Sequence, residues 1–235
     1  MKEKVETEQS EEYRCEHCKR NFVRPANLLK HLCEQKRRWQ DKDKPSNRIA
    51  YNAWLKFYKT IQPTRKKKEY VDFIASAYYI GFVKFGLYCA ESFVLDPLIY
   101  VDYLLKESVS LDNWGSDKIY TKYLVIHLRN EDGMKAVKRS IDHMITISEN
   151  ENVRLQDVFR YVNVNKICHH ILNGKISPWM LYQSESGTEF LSRLNDDQRN
   201  LIYPYIDPER WNIKFKRDNE QVKIINDVIK EIDKL

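Results

Sequence analysis

The sequence predicts a mainly α-helical protein with a small metal-binding element near its N-terminus, and three observations carry this prediction. The 235 residues include only six Gly and seven Pro, too few for a fold built on many tight turns. Apolar residues recur at spacings of three and four along most of the chain, as they do on one face of a helix. Two cysteines separated by two residues stand near the N-terminus, the spacing of a hairpin that holds a metal ion.

Composition limits the class of protein. A hydrophobic content of 42% excludes a wholly disordered chain. No two glycines have the spacing of a phosphate-binding loop, and no apolar run reaches the roughly 18–20 residues of a membrane span. The first 12 residues lack the apolar stretch of a secretory signal, so we expect a reducing cytoplasm and no membrane partner. Five cysteines, an odd number, favour metal or structural roles over disulfides.

The positive charge is concentrated in one stretch. The net charge is +6, but residues 13–69 hold 17 Lys and Arg against five acids, a net of +12. Residues 1–12 and residues 70–235 each carry a net of −3. Such asymmetry predicts a polyanion partner, because bound phosphates release their counterions. A Lys-rich solvated surface is the alternative.

The first element is a metal-binding pattern in residues 13–33, YRCEHCKRNFVRPANLLKHLC. Cys15, Cys18, Phe22, Leu28 and His31 follow the order Cys-x2-Cys-x3-Phe-x5-Leu-x2-His, and this resembles the Cys2His2 zinc finger. The resemblance implies a ββα fold in which two thiolates and an imidazole bind Zn²⁺ while the Phe and Leu form a tiny core. The bound metal supplies folding free energy that so few residues cannot obtain by burial.

The fourth ligand departs from the family pattern. The usual positions of a second His hold residues that bind zinc poorly, namely Gln35, Lys36 and Arg37. Cys33 comes only two residues after His31, and in a regular helix the two side chains would point roughly 200° apart. Cys33 can still bind if the helix ends or unwinds at His31, and His17 is a weaker alternative. The predicted ligands are Cys15, Cys18, His31 and Cys33.

The finger helix carries three candidate base-reading side chains. Pro25 suits the first turn of a helix. The family resemblance then places Arg24 just before the helix, Asn27 at its third residue and Lys30 at its sixth, all facing a groove. Arg and Lys can donate to guanine, and Asn can pair with adenine. Because one finger contacts only about 3 bp, the residues that flank it must contribute to DNA binding. Alternatively, the finger packs on the rest of the chain and has only a structural role.

A basic flank and a second helix follow the finger. Lys36, Arg37 and Arg38 form a cluster, and the neighbouring Trp39 either stacks on a base or packs on a helix. Residues 46–62 show helical periodicity, with one apolar face made of Ala50, Trp54, Phe57, Tyr58 and Ile61. The opposite face carries Arg48, Asn52, Lys56 and Lys59. After Pro63 come Arg65, Lys66, Lys67 and Lys68.

These basic residues can follow a phosphate backbone. The predicted nucleic-acid contacts are Arg24, Asn27, Lys30, Lys36, Arg37, Arg38, Arg48, Lys56, Lys59, Arg65, Lys66, Lys67 and Lys68.

The rest of the chain is predicted to be all-α. Residues 69–92 indicate one or two helices interrupted near Gly81, and a break is expected at Asp96-Pro97. Further helices are expected over 95–107, 116–129, 133–150, 155–161, 164–172, 178–182, 188–194, 208–215 and 219–235. The predicted organisation is an acidic flexible tail (1–12), the finger with its basic extension (13–45), a basic helix and linker (46–68), and an all-α domain (69–235).

Catalytic patterns are poor. Cys168, His169 and His170 are consecutive, so in a helix their side chains diverge by about 100° each. His127 and His143 are isolated in the sequence, and the pair Asp196-Asp197 is expected in a loop before a helix. We therefore expect no enzyme activity.

Three short phrases, in residues 31–39, 167–171 and 176–179 (HLCEQKRRW, ICHHI and ISPW), are similar to uncharacterised zinc-finger proteins of large tailed bacteriophages. This resemblance implies a phage-encoded protein in a bacterial cytoplasm and favours Cys33 as the fourth ligand. The expected function is zinc-dependent binding of nucleic acid, DNA rather than RNA, with the helical domain as scaffold or protein-binding surface. The alternatives are a protein–protein adaptor or virion component with a structural zinc clip, and third, a metal-dependent nuclease.

Overall fold

The computed structural model describes residues 13–61 and 67–232, and the predicted acidic tail lies outside them. The contacts divide the chain between Ala90 and Glu91 into two compact units. The described residues are mainly helical with one small sheet, which confirms the predicted fold class. None of the described helices combines the length and apolar character needed to cross a membrane.

The first unit contains the two-stranded sheet and the helices that follow it. Strands β1 (Tyr13–Arg14) and β2 (Asn21–Phe22) pair antiparallel, with Tyr13 opposite Phe22. The helices of this unit are α1 (Pro25–Lys30), α2 (Glu34–Gln40), α3 (Pro45–Ile61), α4 (Tyr70–Ile74) and α5 (Tyr79–Glu91). The strands and α1 form the predicted ββα element.

Helix α1 is short because the backbone changes direction at His31. His31 has φ −72° and ψ 117°, an extended conformation that ends the helix. Cys33 then begins α2, since its Sγ accepts a hydrogen bond from the N–H of Lys36 at 3.3 Å. Helix α2 was not predicted, because residues 34–40 include few apolar side chains at helical spacing.

An aromatic core joins α3, α4 and α5. Trp54 of α3 is buried against Phe73 of α4, with ring centroids 5.4 Å apart, and Phe57 contacts Phe82 of α5 at 5.5 Å. Gly86 allows the close approach of α5, since a Cβ there would lie 2.1 Å from the carbonyl oxygen of Ser46. Helices α4 and α5 therefore complete the core of α3, whereas the predicted domain boundary separated them from it at residue 69.

The apolar face of α3 differs in part from the prediction. Ala50 and Trp54 are buried, as is Ala53, but Ile61 at the end of the helix is exposed. The predicted interruption near Gly81 is wrong: the chain leaves the helix over residues 75–78, and Gly81 lies within α5.

The second unit is all-helical in its described residues. Its helices are α6 (Pro97–Lys106), α7 (Asp117–Asn130), α8 (Gly133–Glu151), α9 (Val158–Tyr161), α10 (Val164–Leu172), α11 (Pro178–Gln183), α12 (Glu185–Ser192), α13 (Asp196–Ile206), α14 (Pro208–Arg217) and α15 (Asn219–Ile232). Short 3-10 turns occupy Leu111–Asn113 and Leu155–Asp157. The break at Asp96-Pro97 is as expected, since Asp96 caps α6.

Tryptophan side chains form the centre of the second unit. Trp179 of α11 and Trp211 of α14 are both buried, and both rings contact Phe215, at centroid distances of 4.9 and 5.4 Å. Helix α8 is held to α15 where the N–H of Gly133 donates to Oε1 of Gln221 at 2.9 Å.

Helix α13 was not predicted. Asp196 and Asp197 lie in its first turn rather than in a loop, and Asn195 caps it reciprocally with Gln198. Pro204 lies inside the helix, and an interior proline is a signal against helix in a sequence. The acidic pair is therefore explained by the helix dipole, which favours negative charge at this end.

Candidate metal centre

Four side chains converge at the finger. The Sγ atoms of Cys15, Cys18 and Cys33 and one ring nitrogen of His31 all lie within 4.8 Å of one another. Sγ of Cys15 is 4.0 Å from Sγ of Cys33, and Sγ of Cys18 is 3.2 Å from Nε2 of His31. Among the described residues, this is the group of three or more His, Cys, Asp or Glu side chains close enough to share one metal ion.

The donor set and its size suit zinc. A tetrahedral zinc ion with Zn–S bonds of about 2.3 Å and Zn–N bonds of about 2.0 Å holds its ligand atoms roughly 3.5–3.8 Å apart. The observed separations bracket these values, and three thiolates with one imidazole are a common structural zinc set. The site can therefore hold a metal ion of this kind.

The backbone explains how Cys33 reaches the cluster. Because α1 ends before His31 and α2 begins after Cys33, the two residues are not on one helix. Both therefore point toward the hairpin, and the end of the helix before His31 is what allows Cys33 to join the cluster. His17 is not part of the cluster; its ring lies 5.8 Å from that of Trp39.

The backbone of the hairpin turn stabilises the thiolate form of Cys15. Lys19 has a φ of 62°, and its N–H donates to the carbonyl oxygen of Cys15 at 2.9 Å. The backbone N–H groups of Cys18 and His17 donate to Sγ of Cys15 and hold the pKa of that thiol below its ordinary value. Cys15 is thereby favoured as a thiolate.

The thiols of Cys15 and Cys33 make ionisation of the neighbouring Cys18 less favourable. The N–H of Arg20 lowers the pKa of Cys18, but desolvation and the thiols of Cys15 and Cys33 outweigh it, so the net pKa is raised. Several thiolates this close repel one another unless a cation lies between them. The cluster is thus arranged so that a bound cation completes it.

The finger has almost no apolar core of its own. The ring of Phe22 packs on that of His31, with centroids 4.7 Å apart, and no residue of α1 is buried. Leu28 is half-buried. Such a small core cannot stabilise a fold by itself, so a metal ion bound at the cluster would supply the missing folding free energy.

Helix α2 attaches the finger to the aromatic core of the first unit. The ring of Trp39 lies 5.8 Å from that of Tyr70, and Tyr70 donates its hydroxyl hydrogen to the carbonyl oxygen of Arg38 at 3.2 Å. Arg38 donates from Nη1 to the carbonyl oxygen of Ile74 at 2.6 Å and lies 4.2 Å over the ring of Tyr79. Trp39 therefore packs within the unit.

The predicted nucleic-acid contacts separate into exposed and engaged residues. Exposed side chains are Arg24, Asn27, Lys30, Arg37, Arg48, Lys59 and Lys67. Half-buried side chains are Lys36, Arg38, Lys56 and Lys68. Arg38 is bound inside the unit, with a side chain only 17% exposed that also pairs with Glu34, and Lys68 lies 4.6 Å over the ring of Tyr58. Arg65 and Lys66 lie outside the described residues.

The second unit contains a pair of contacting histidines that was not predicted from the sequence. Nε2 of His143 on α8 and Nδ1 of His170 on α10 are 3.0 Å apart, so His143 is not isolated. Their 27-residue separation gives no local signal, because only the tertiary packing of two helices brings them together. Cys168 is buried, as expected for a core cysteine, and burial raises its pKa.

Comparison with known protein families, curated proteins and solved structures found no match. The resemblance to proteins of tailed bacteriophages therefore stays a prediction.

Proposed function

We propose that the chain is a zinc-dependent nucleic-acid-binding protein whose partner is double-stranded DNA rather than RNA. One observation carries the proposal: Arg24 at the N-cap of the short helix α1, and Asn27 and Lys30 within it, are exposed directly beside the Cys3His cluster. At spacings of three, these residues share one side of α1. Guanidinium, amide and ammonium groups are the donors that read guanine and adenine edges in a major groove.

Zinc is the metal of this proposal. Three thiolates and one imidazole are soft donors that select zinc over magnesium or calcium. Its role is structural, because four protein ligands leave no open position for a substrate. Loss of zinc would release α1 and with it the three side chains that face the DNA.

The exposed basic residues around the finger support phosphate contacts. Arg37 on α2, Lys59 on α3 and Lys67 after it are exposed, within a segment whose net charge is +12. Their contacts would fix the position of the finger on the duplex without reading sequence. Arg38 is excluded from this role, since its guanidinium group is bound to Ile74 and Glu34.

A protein–protein adaptor or virion component is the second candidate. It is favoured by three exposed apolar side chains on the finger, namely Val23 at 91%, Leu29 at 81% and Leu32 at 54%. Groove-reading fingers do not need these residues, whereas a protein partner would cover them. The helical second unit would then be a further surface for a protein partner. From the resemblance to phage proteins we propose that either activity takes place in a bacterial cytoplasm.

Fluorescence anisotropy on a labelled 20-bp duplex library tests the proposal. We expect the triple variant Arg24→Ala, Asn27→Ala, Lys30→Ala to retain zinc and lose at least about tenfold in affinity, together with sequence preference. The matched control is Lys118→Ala with Lys122→Ala, two exposed residues of α7. Equal affinity of both variants would overturn DNA binding by α1 and favour the adaptor. Magnesium-dependent loss of the duplex would indicate the nuclease instead.

A further inference from the structure

A shallow, open cleft of about 500 Å³ runs along α8 in the second unit. Its lining includes Lys135, Lys138, Arg139 and His143 from α8, with Leu95 and Lys175 from other segments. Small-ligand sites have volumes of about 300–1,000 Å³, so this cleft has the size of a ligand site.

The cleft carries surplus positive charge. Arg139 is neutralised by Glu131, whose carboxylate is 6% exposed and accepts from Nη1 at 2.5 Å and from Nη2 at 2.8 Å. Within the described residues, Lys135 and Lys138 form no ion pair. With Lys175 they outnumber Asp142, the one acid that lines the cleft. The unpaired ammonium groups therefore suit an anion.

A neighbouring cavity is lined by acidic as well as basic side chains. It measures about 460 Å³ and is lined by Asp96, Glu131 and Asp132 as well as by Lys135 and Arg139. An anion would be repelled by the acids there. The site for an anion is thus the part of the cleft near Lys138, His143 and Lys175.

His143 lines this cleft, and its Nε2 lies 3.0 Å from Nδ1 of His170. Burial and Lys175 lower the pKa of His143. Burial, His143, Lys175, His169 and Lys166 lower the pKa of His170 to about 4. A bound anion would oppose the effect of Lys175 and raise both pKa values. Asp142 on α8 also carries a charge near His143.

A strained loop presents an aromatic ring beside Lys175. Phe93 has a φ of 51° and Asp96 a φ of 40°, values that are uncommon for residues with side chains. The loop is held in place by Leu95, whose N–H donates to the hydroxyl of Tyr120 at 3.0 Å. The ring of Phe93 is 61% exposed, and Nζ of Lys175 lies 4.1 Å over it. A ligand phosphate at Lys175 would therefore have an exposed ring next to it.

We propose that this cleft binds a nucleotide, with its phosphate held by Lys138, Lys175 and His143 and its base against Phe93. The nucleotide is either a free mononucleotide or one unit of a single strand, since both offer a phosphate beside a flat base. The assignment does not depend on DNA binding by the finger, because it rests on other residues.

Nuclear magnetic resonance of the full-length protein tests the proposal. Adenosine 5′-monophosphate is titrated at pH 6.5 while the ring signals of His143 and His170 are followed, with adenosine as the phosphate-free control. We expect the monophosphate to shift both signals with a Kd of about 1 mM or below, and adenosine to leave them unchanged. Absence of any shift with the monophosphate would overturn the proposal.

Variants tie the binding to the cleft. Lys138→Gln with Lys175→Gln should weaken binding of the monophosphate at least about tenfold, whereas Lys118→Gln with Lys122→Gln should not. Equal weakening in both variants would contradict the assignment, and unchanged folding is checked by the remaining amide signals. A 12-nucleotide single strand that displaces the monophosphate from the cleft identifies a strand as the ligand, and failure to displace it identifies the free nucleotide.

Discussion

The Sγ atom of Cys33 lies 4.0 Å from the Sγ atom of Cys15, although the two residues stand 18 positions apart. The same Sγ atom of Cys33 accepts the N–H of Lys36 and so begins α2. One thiol thus links the metal cluster to the helix that carries Arg38 and Trp39. The metal cluster, α2 and the aromatic core of the first unit are joined in sequence through this residue.

Replacing Cys33 separates its two roles. Serine is a good N-cap residue, so Cys33→Ser should keep α2 while removing a metal ligand. We expect at least about tenfold weaker zinc binding, measured by competition with a chromophoric chelator. His17→Gln is the control, since His17 stands in the same loop outside the cluster. Unchanged zinc affinity in Cys33→Ser would show that Cys33 is not a ligand.

Removal of the metal should unfold the finger selectively. With hardly any apolar core, residues 13–33 depend on the metal, whereas the second unit has its own buried tryptophans. We expect chelation to collapse the amide signals of residues 13–33 in a heteronuclear spectrum and to leave those of α8 and α11 in place. Retention of the finger signals after complete zinc removal would contradict this dependence.

Arg37 and Arg38 are neighbours with different tasks. Arg38→Gln should lower the free energy of unfolding by about 1–3 kcal/mol, because it leaves the carbonyl of Ile74 without its donor and removes the contact with Tyr79. Arg37→Gln should change stability by less than about 0.5 kcal/mol, since Arg37 is exposed. Denaturant titration of both variants measures the difference. Equal stability losses would show that the contacts of Arg38 contribute nothing specific.

The approach of α5 to α3 depends on Gly86. A Cβ at this position would lie 2.1 Å from the carbonyl oxygen of Ser46, so Gly86→Ala should force the helices apart. We expect a loss of about 1–3 kcal/mol in the free energy of unfolding, as for overpacked cores. On the same helix, Gly81→Ala should be neutral or stabilising by up to about 1 kcal/mol, because Ala favours helix. Thermal melts measure both variants. A larger loss of stability in Gly81→Ala than in Gly86→Ala would refute the close packing of α5 on α3.

The histidine pair should make stability depend on pH. The pKa of His170 is lowered to about 4, mainly by burial, while in the unfolded chain it has its ordinary value of about 6.5. Its contribution to stability is therefore complete above pH 6.5 and is lost as pH falls from there to about 4. Denaturation between pH 7 and pH 4.5 should show a shallower loss for His170→Asn than for the native chain. Parallel curves would mean that His170 titrates normally.

The sequence predicted the metal cluster better than its surroundings. The spacings of Cys15, Cys18 and His31 are local, so the pattern defines them directly. The role of Cys33 depended on where α1 ends, and that is a backbone property at His31 that periodicity does not fix. Arg38 was predicted to be a nucleic-acid contact like its neighbours, because its hydrogen bond to Ile74 spans 36 positions and only tertiary packing creates it.

In the second unit, too, local features were predicted from the sequence and long-range contacts were not. Helices such as α10 and α14 were predicted from apolar spacing, whereas α13 was missed because Pro204 lies inside it. The contact between His143 and His170 has no local signature at all. Periodicity predicts which residues are helical, but it does not predict which helices pack side by side.

Zinc-dependent DNA binding is tested by measuring the affinity for a 20-bp duplex in the presence and absence of zinc. Anisotropy is measured at about 50 mM and about 200 mM salt, a range over which phosphate contacts weaken strongly. We expect the affinity to fall at least about tenfold between the two salt concentrations. We also expect binding to be lost when zinc is chelated and restored when zinc is returned. Equal affinity with and without zinc, or no binding at the lower salt concentration, would contradict it.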